Sequence, residues 1–530
     1  ASNQSVNTDM RYARYAENAD TRDGDLMPAL LPVNNLGSGY SVSVMAENAA
    51  MFRRNVVLST ATGSAANKVF AVEVGKSATN PEQYSLHGNA MNGAYPFVYP
   101  FTYPVESGGS FLQYEMTAGS SQSADPDPQK YDALLYSDTK NGMLALGFVR
   151  TTQHAGGILL SESITTPYLF GVIARYGERV WGTGIPDHPD LIVYSAPYDP
   201  ADWSPNADIP EDGAGEIEQP TFDGDYFTAL VPFGNSLLAF KKHHLFRITG
   251  LSPDEFTFQE QYGGGTIFPE TIVTYQESVY FLTENGVCVY DGVTTRPFQQ
   301  DMLFNLWRNS RLTAIDYRKP TGIIFGTKYI LSFPPNSTAS TLNTRAVMYD
   351  FADNTWHTCD ALSANAYVVD ENALYLFTKN TATSSNFTKW YGSVLEIPTS
   401  TLNGFSGPAF GKLDWRSPWT DMGCKDVLQH DYQLRFWIQT HCNMIASGGT
   451  AASGHLKLQV TMETERGSRT REIVFTENVD EEVMMRFHLS GRRVRFRIQA
   501  MSDNPSLTNT MNCWFRIMGG MQLNADTTPD

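Results

Sequence analysis

The chain has 530 residues, 42% of them hydrophobic and 12% aromatic, which exceeds one typical domain and excludes wholesale disorder. Asp and Glu number 56 against 38 Lys and Arg, and the formal net charge of −18 disfavours wrapping of DNA by phosphate neutralisation. An acidic wall would instead let DNA slide past without sticking, because like charges repel. No run of 18 apolar residues occurs, so no membrane-spanning segment is predicted.

The first 50 residues show little hydrophobic periodicity and are predicted to form an N-terminal arm. Beyond them, short runs rich in Val, Ile, Tyr and Phe alternate with Gly, Pro, Asn and Asp, as is typical of strands and turns. Strand-like runs before residue 178 include "NVVLS", "KVFAVEV", "SFLQYEM", "DALLYS" and "MLALGFV". One short helix is predicted at 301–312, where Leu303, Leu306 and Trp307 recur at helical spacing.

Two phrases near the middle of the chain repeat without a gap at an offset of 42 residues: "GNSLLAFKKHHLFRITG" (234–250) and "QESVYFLTENGVCVYDG" (276–292). Each contains an apolar run, a turn, a return strand and a closing Gly, which predicts a β-hairpin. Looser hairpins are "ERVWGTG" with "LIVYSAP", "TKYILSF" with "RAVMYDFADNTW", and "NALYLF" with "KWYGSVLEI". Hairpins repeating every 40–50 residues or so, without helices, are typical of propeller blades. We therefore predict an irregular β-propeller over 51–404, which five hairpins favour over strands of one large β-sandwich.

The pattern of apolar and polar residues changes after "STLNGFSGPAF" (400–410). Leu456, Leu458, Val460 and Met462 alternate strictly with polar residues in "HLKLQVTMETERGSRTREIVF", which predicts a long hairpin. A second long hairpin is predicted in "EVMMRFHLSGRRVRFRIQAM", with Ser490-Gly491 near its turn. Such hairpins favour a C-terminal antiparallel β-sandwich at 405–524, followed by a polar tail at 525–530.

No constellation of catalytic residues is recognisable. GxSxG, HExxH and GxxxxGK[ST] are all absent, and "GGG" (263–265) precedes a strand and is interpreted as a turn between blades. The adjacent His243 and His244 are interpreted as a solvated turn pair, and the acids of "DGDY" (223–226) as turn formers, with calcium binding as the lesser alternative. Five dispersed cysteines without a CxxC predict neither a zinc site nor a disulfide framework. We therefore predict a protein that is not an enzyme and has no cofactor, metal or catalytic residue.

A basic stripe occurs in "GRRVRFRIQ" (491–499), where Arg493, Arg495 and Arg497 share one face of a predicted strand. One interpretation is a solvated face. The other is a subunit or partner interface, because arginine pairs well with carboxylates, which neighbouring copies of this acidic molecule supply.

The middle of the chain resembles tail-hub, or nozzle, proteins of short-tailed bacteriophages, which include packaged-DNA stabilisation proteins. The resemblance lies in the order of "RVWGTG" (179–184), "IVYSAPYDPADW" (192–203), "SLLAFKKHHLFRITG" (236–250) and "VYFLTENGVCVYDG" (279–292). "LDWRSPWTDMGCKD" (413–426) also resembles the start of the family's terminal β-sandwich. The first third of the chain does not match, and none of the matching phrases carries catalysis.

The resemblance implies a structural virion protein of the tail, assembled in the host cytoplasm. About six copies would form a ring below the portal and adaptor proteins, retain packaged DNA and guide its ejection. DNA would pass through the lumen without sequence-specific binding, and tail fibres or tip proteins would be further partners. Two loops are candidates for the lumen or gate, namely 334–345 and 204–220; the acidic residues of the second are Asp208, Glu211, Asp212, Glu216 and Glu218.

Two alternatives remain at this stage. A propeller of the virion could bind or cleave host-surface glycans, with Trp203, Trp307 and Trp390 stacking on sugars, although packing between blades explains these residues equally well. A cytoplasmic scaffold would instead be a soluble monomer.

Overall fold

The computed structural model describes residues 2–8, 15–21, 25–29, 32, 41–42, 44–52, 55–63, 68–76, 84–87, 97–100, 109–117, 130–149, 158–221, 223–298, 320–334, 343–370, 373–381, 384–390, 410–423, 427–441, 455–503, 510–511 and 514–528. Within these residues the fold is all-β, with 42 strands and a few short 3-10 turns but no α-helix. The helix predicted at 301–312 lies outside the described residues. Within the same residues, no helix has the length and apolar character needed to cross a membrane.

Seven consecutive antiparallel sheets, numbered here as blades, follow one another along the described chain. Blade 1 contains β6 (Val44–Phe52), β7 (Asn55–Gly63), β8 (Lys68–Lys76), β9 (Tyr84–His87) and β10 (Phe97–Pro100). Blade 2 contains β11 (Ser110–Thr117), β12 (Lys130–Asp138), β13 (Gly142–Val149) and β14 (Ile158–Ile164). Blade 3 contains β15 (Val172–Tyr176), β16 (Arg179–Thr183), β17 (Leu191–Tyr194) and β18 (Gly215–Glu218). Blade 4 contains β19 (Phe227–Phe233), β20 (Ser236–Lys241), β21 (Leu245–Thr249) and β22 (Thr257–Gln261).

The remaining three blades have the same antiparallel order. Blade 5 contains β23 (Val273–Tyr275), β24 (Ser278–Thr283), β25 (Gly286–Tyr290) and β26 (Thr295–Pro297). Blade 6 contains β27 (Thr321–Phe325), β28 (Lys328–Phe333), β29 (Arg345–Asp350) and β30 (Thr355–Thr358). Blade 7 contains β31 (Ala366–Asp370), β32 (Ala373–Thr381), β33 (Ser384–Trp390) and, from the start of the chain, β5 (Ser41–Val42). The repeated phrases 234–250 and 276–292 therefore lie at equivalent places in blades 4 and 5.

The blades form a closed ring. The first strand of one blade generally lies against the first strand of the next, which identifies these strands as the innermost, and the fourth strands lie on the rim. Separate apolar cores fill the interfaces of blades 2 and 3, 3 and 4, 4 and 5, and 5 and 6. Blade 7 contacts blade 1, and β5 completes blade 7 immediately before the chain enters blade 1. The fold is thus an irregular β-propeller that the start of the chain helps to close.

A β-sandwich follows the propeller. Its first sheet contains β1 (Ser2–Thr8), β42 (Trp514–Thr528), β36 (Leu428–His441) and β39 (Asp480–Gly491), in that order. Its second contains β2 (Tyr15–Glu17), β35 (Leu413–Arg416), β40 (Val494–Ser502), β37 (Leu456–Thr464) and β38 (Gly467–Phe475). Two short ladders join β3 (Ala19–Asp20) to β4 (Met27–Pro28) and β34 (Phe410–Gly411) to β41 (Thr510–Met511). Glu17 also pairs with Thr358 of blade 6, so the second sheet continues into the propeller.

Three features differ from the sequence predictions. The first 50 residues are not a separate arm, because β1 pairs with β42, β2 with β35 and β5 with β33. Residues 525–528 are the end of β42 and not a polar tail; Ala525 and Thr527 are buried there. The predicted second hairpin at 482–501 is wrong, since β39 pairs with β36 in one sheet and β40 pairs with β35 and β37 in the other. Both strands bury alternate residues in the same apolar core.

The Gly that closes each repeated hairpin has a conformation that other residues rarely adopt. Gly250 has φ +103°, and a Cβ there would lie 2.4 Å from the backbone oxygen of Glu255. We expect Gly250→Ala to lower the free energy of unfolding by about 2–3 kcal/mol, because it adds a clash to backbone strain. Gly234→Ala is the control, since φ is +57° and no atom lies within 4 Å of its Cβ position; about 1 kcal/mol is expected. Equal losses in urea unfolding would contradict this account.

Candidate functional site

The most distinctive surface of the described chain is an acidic sector formed by residues 184–261 of blades 3 and 4. This segment contains fourteen Asp and Glu but only three Lys and Arg. Its exposed acids lie on the loops at both ends of the two blades and on their rim; they are Asp187, Asp199, Asp202, Asp208, Glu211, Asp212, Glu216, Glu218, Asp223, Asp254, Glu255 and Glu260. The sector therefore carries most of the excess negative charge of the chain.

One buried arginine anchors the backbone of the loop at 204–214. Arg179, on β16, donates hydrogen bonds to the backbone oxygens of Ser195 (2.8 Å), Gly213 (2.6 Å) and Glu211. At the other end of the loop, Asn206 Oδ1 accepts the amide hydrogens of Asp208 (3.0 Å) and Ile209 (3.1 Å). Burial lowers the pKa of the Arg179 guanidinium below its usual value. This backbone anchoring leaves Asp208, Glu211 and Asp212 exposed on the outside of the loop.

The other two predicted lumen residues do not belong to a loop. Glu216 and Glu218 lie on β18, the rim strand of blade 3, where residues alternate between half-buried and exposed. Glu216 accepts a hydrogen bond from the Tyr168 hydroxyl at 3.0 Å. The structure thus brings all five predicted acids to the outer edge of one blade. That they face a lumen stays a prediction. The second candidate, 334–345, lies largely outside the described residues.

Two of the three basic side chains of the sector, Lys241 and Arg247, are engaged inside the fold. Lys241 is fully buried; its ammonium pairs with Asp190 and donates to Gln219 O at 2.7 Å and Thr221 Oγ1 at 3.2 Å. Arg247 donates to Ser236 Oγ at 3.1 Å. Because Lys241 belongs to blade 4 and Asp190 to blade 3, their ion pair also joins the two blades.

A histidine held between two carboxylates lies within the acidic sector. His244 Nε2 lies 2.8 Å from Asp223 Oδ2, and Nδ1 lies 2.7 Å from Glu260 Oε1. Only a protonated imidazole donates from both nitrogens, and these carboxylates raise the pKa of His244, the hydrogen bond to Glu260 contributing most. The hydrogen bond from His244 lowers the pKa of Asp223. Asp225 is buried, and its carboxylate accepts the amide hydrogens of Tyr226, Lys242 and His243. Asp225 thus stabilises its turn by accepting backbone hydrogen bonds, whereas His244 is not simply solvated.

This histidine gives the fold a defined pH dependence. The raised pKa of His244 means that its contribution to stability is complete below about pH 6.5 and is lost as pH rises through the folded-state pKa. We therefore expect His244→Gln to lower the urea midpoint at pH 5 and to have a smaller effect at pH 9. His243→Gln, at the exposed neighbour, is the control and is expected to change stability by no more than about 0.5 kcal/mol. An equal effect of His244→Gln at both pH values would contradict the charge-based explanation.

The predicted arginine stripe is largely satisfied within the chain. Arg497 forms a bidentate ion pair with Asp414, in which one of the two contacts measures 2.7 Å. Arg495 pairs with Glu463 at 2.6 Å, and its guanidinium packs over the Trp419 ring. Arg493 is exposed, and its amide donates to Glu465. The guanidinium groups of Arg495 and Arg497 therefore pair with carboxylates on neighbouring strands of the same sandwich sheet. An interface role for this stripe stays a prediction.

The aromatic residues considered for sugar stacking are explained by packing where they are described. Trp390 is only 1% exposed and lies in the core. Trp203 packs on Phe170, with ring centroids 5.3 Å apart, and donates to Pro200 O. Trp307 lies outside the described residues. Trp390 therefore has no exposed ring face for stacking on a glycan, and the half-buried Trp203 is already packed on Phe170.

A cleft of about 300 Å³ opens between blades 4 and 5, next to the acidic sector. Its lining includes Lys242 and His243 of blade 4, the Gly263–Gly265 turn, and Cys288 and Thr295 of blade 5. Burial raises the pKa of the Cys288 thiol, which keeps the sulfur protonated and a poor nucleophile. We find no nucleophile paired with a base among the residues that line it.

Comparisons with known proteins give no family assignment. No family model and no curated protein matches the chain. Among solved structures, the Pan2 WD40 domain of Neurospora crassa is similar over 66% of this chain and 90% of its own, at 11% identity and a TM-score of 0.34. An exo-β-1,3-galactanase from Phanerochaete chrysosporium is similar over 65% of this chain and 94% of its own, at 9% identity and a TM-score of 0.23. The extracellular domain of a one component system from B. thetaiotaomicron has a TM-score of 0.37 at 6% identity; the match covers 91% of this chain and 62% of that one. These scores are too low to carry an argument about function.

Proposed function

We propose that this chain is a structural protein of a bacteriophage tail, in which about six copies form a ring below the portal and adaptor, retain packaged DNA and guide its ejection. The observation that carries the proposal is the acidic sector of blades 3 and 4. Most of its carboxylates are exposed, and two of its three basic side chains, Lys241 and Arg247, are engaged inside the fold. Placed along a central channel, such a surface repels phosphates and lets DNA slide.

Three further features support a structural role. The phrases that resemble tail-hub proteins lie in blades 3 to 5, where they supply buried strand residues and closing glycines. The cleft beside them lacks an activated nucleophile among the described residues. In addition, β1 and β42 pair in the sandwich, while β5 completes blade 7. These long-range pairings stabilise both the sandwich and the propeller, as suits a subunit that experiences the pressure of packaged DNA.

Electron microscopy of the purified chain tests the assembly. The chain is imaged at high concentration, alone and with the portal complex of its phage, and particles are scored for rotational symmetry. Six-fold rings with a central channel bordered by blades 3 and 4 are expected. Monomers under both conditions would contradict the proposal, and a glycan-binding or hydrolysis assay would then test the alternative.

Charge-neutralised variants test the role of the sector within the ring. Glu211→Gln, Glu216→Gln and Glu218→Gln are combined in one variant, and the exposed sandwich residues Glu477, Glu481 and Glu482 are changed to Gln in a control of equal net charge. Rings of the first variant are expected to bind duplex DNA more tightly and with a steeper salt dependence than rings of the control. Equal DNA binding by the two variants would exclude blades 3 and 4 as the channel wall.

A further inference from the structure

A cluster of side chains that could bind a metal ion lies on the outer face of the sandwich, far along the chain from the acidic sector. His430 and Asp431 are on β36, and Asp526 is the residue opposite His430 on β42. The possible ligand atoms of these three residues all lie within 4.8 Å of one another. We propose that His430, Asp431 and Asp526 bind one divalent transition-metal ion of the zinc or cobalt class.

The local backbone brings the two adjacent residues together. The ladder of β36 and β39 shifts register between His430 and Tyr432, and Asp431 has φ +52°. In a regular strand neighbouring side chains point to opposite faces, whereas here His430 Nδ1 lies 3.2 Å from Asp431 Oδ2. Ligands bonded at about 2.0–2.1 Å in a tetrahedral site are separated by a little more than 3 Å. This pair therefore already has the spacing of two ligands on one ion.

The third ligand and the charge also fit. Asp526 reaches the same ion by a modest rotation of its side chain, since its carboxylate is already within 4.8 Å of the others. Two carboxylates neutralise a divalent cation, and a neutral imidazole favours a transition metal over calcium or magnesium. Asp431, Asp526 and His488 line a surface cavity of about 390 Å³, which leaves room for a water molecule in the fourth position.

His488 on β39 acts as a positioning residue. Its Nδ1 lies 2.8 Å from Asp431 Oδ1, the carboxylate oxygen that does not contact His430. This hydrogen bond fixes the orientation of the Asp431 carboxylate, so that its other oxygen stays directed towards His430. Hydrogen bonds of this kind to ligating carboxylates typically contribute 10–100-fold or so in metal affinity. Because the ion bridges β36 and β42, and β42 also pairs with β1, binding would stabilise this sheet of the sandwich.

Titration of the metal-free full chain with ZnSO₄ or CoCl₂ tests the proposal. One equivalent is expected to bind, to raise the thermal midpoint of unfolding, and to give Co²⁺ an intense visible absorption of tetrahedral type. Asp526→Asn and His430→Gln are expected to lose this binding. His488→Ala is expected to weaken it by about 10–100-fold. His488→Gln retains a hydrogen-bond donor and is expected to bind the metal better than His488→Ala.

Two control variants locate the ion. Asp503→Asn disrupts another exposed His–Asp pair of the sandwich, in which His455 Nδ1 lies 2.8 Å from Asp503, and should bind normally. Asp223→Asn changes the other cluster of possible metal ligands, in blade 4, and should also bind normally. Absence of Zn²⁺ and Co²⁺ binding by the folded wild-type chain would overturn the proposal. So would binding that survives in Asp526→Asn or that disappears only in Asp223→Asn.

Discussion

Trp181→Ala is expected to lower the free energy of unfolding by about 3–5 kcal/mol. The Trp181 side chain is fully buried on β16. Its ring lies 5.0 Å from that of Tyr194 in blade 3 and 4.9 Å from that of Phe256 in blade 4. Its indole Nε1 donates to Tyr176 O at 2.9 Å. The substitution would leave a large cavity between two blades, because the surrounding strands are fixed by their own ladders and cannot close around it.

Urea unfolding followed by circular dichroism measures this effect. Trp437→Ala is the control, because the Trp437 side chain is 47% exposed on the sandwich and its indole contacts Asp480; a loss below about 1 kcal/mol is expected. Trp181→Phe, which keeps an aromatic ring, should fall between the two. Similar losses for Trp181→Ala and Trp437→Ala would show that the interface between blades 3 and 4 contributes little to stability.

Lys241→Met is expected to destabilise the propeller by about 3 kcal/mol, because it leaves the Asp190 carboxylate without its buried partner. The ammonium also lies 4.7 Å from the ring centroid of Phe227 and donates to two oxygen atoms near blade 3. The double variant Lys241→Met with Asp190→Asn should recover part of the loss, since no unpaired charge then remains. This recovery separates the charge effect from a general effect of altered packing.

The adjacent residue supplies a matched control for the ion pair. Lys242→Met changes the same residue type one position along, but Lys242 is half-buried at the mouth of the cleft. A change of no more than about 0.5 kcal/mol is expected. If Lys241→Met and Lys242→Met had the same urea midpoint, the ion pair between blades 3 and 4 would have no measurable role.

The candidate site was predictable only in part. The richness of acids in 204–220 was visible in the sequence, and the structure shows all five predicted residues exposed. The sequence could not show that Arg179 and Lys241 are withdrawn into the fold, because their oxygen partners come from distant turns. The spacing of His430, Asp431 and Asp526 was also invisible, since the cluster depends on a register shift and on a strand almost a hundred residues later.

Local sequence patterns were enough to locate the strands of the repeated hairpins and the turns between them. Alternation of apolar residues and the placement of Asn-Gly and Gly positions are local properties, so β20 with β21 and β24 with β25 form as predicted. Which strands become partners across long distances depends on packing in three dimensions. The polar β1 has no apolar alternation, yet it pairs with β42. Likewise, β39 and β40 are adjacent in the chain but belong to opposite sheets, because an alternating strand specifies a buried face and not a neighbour.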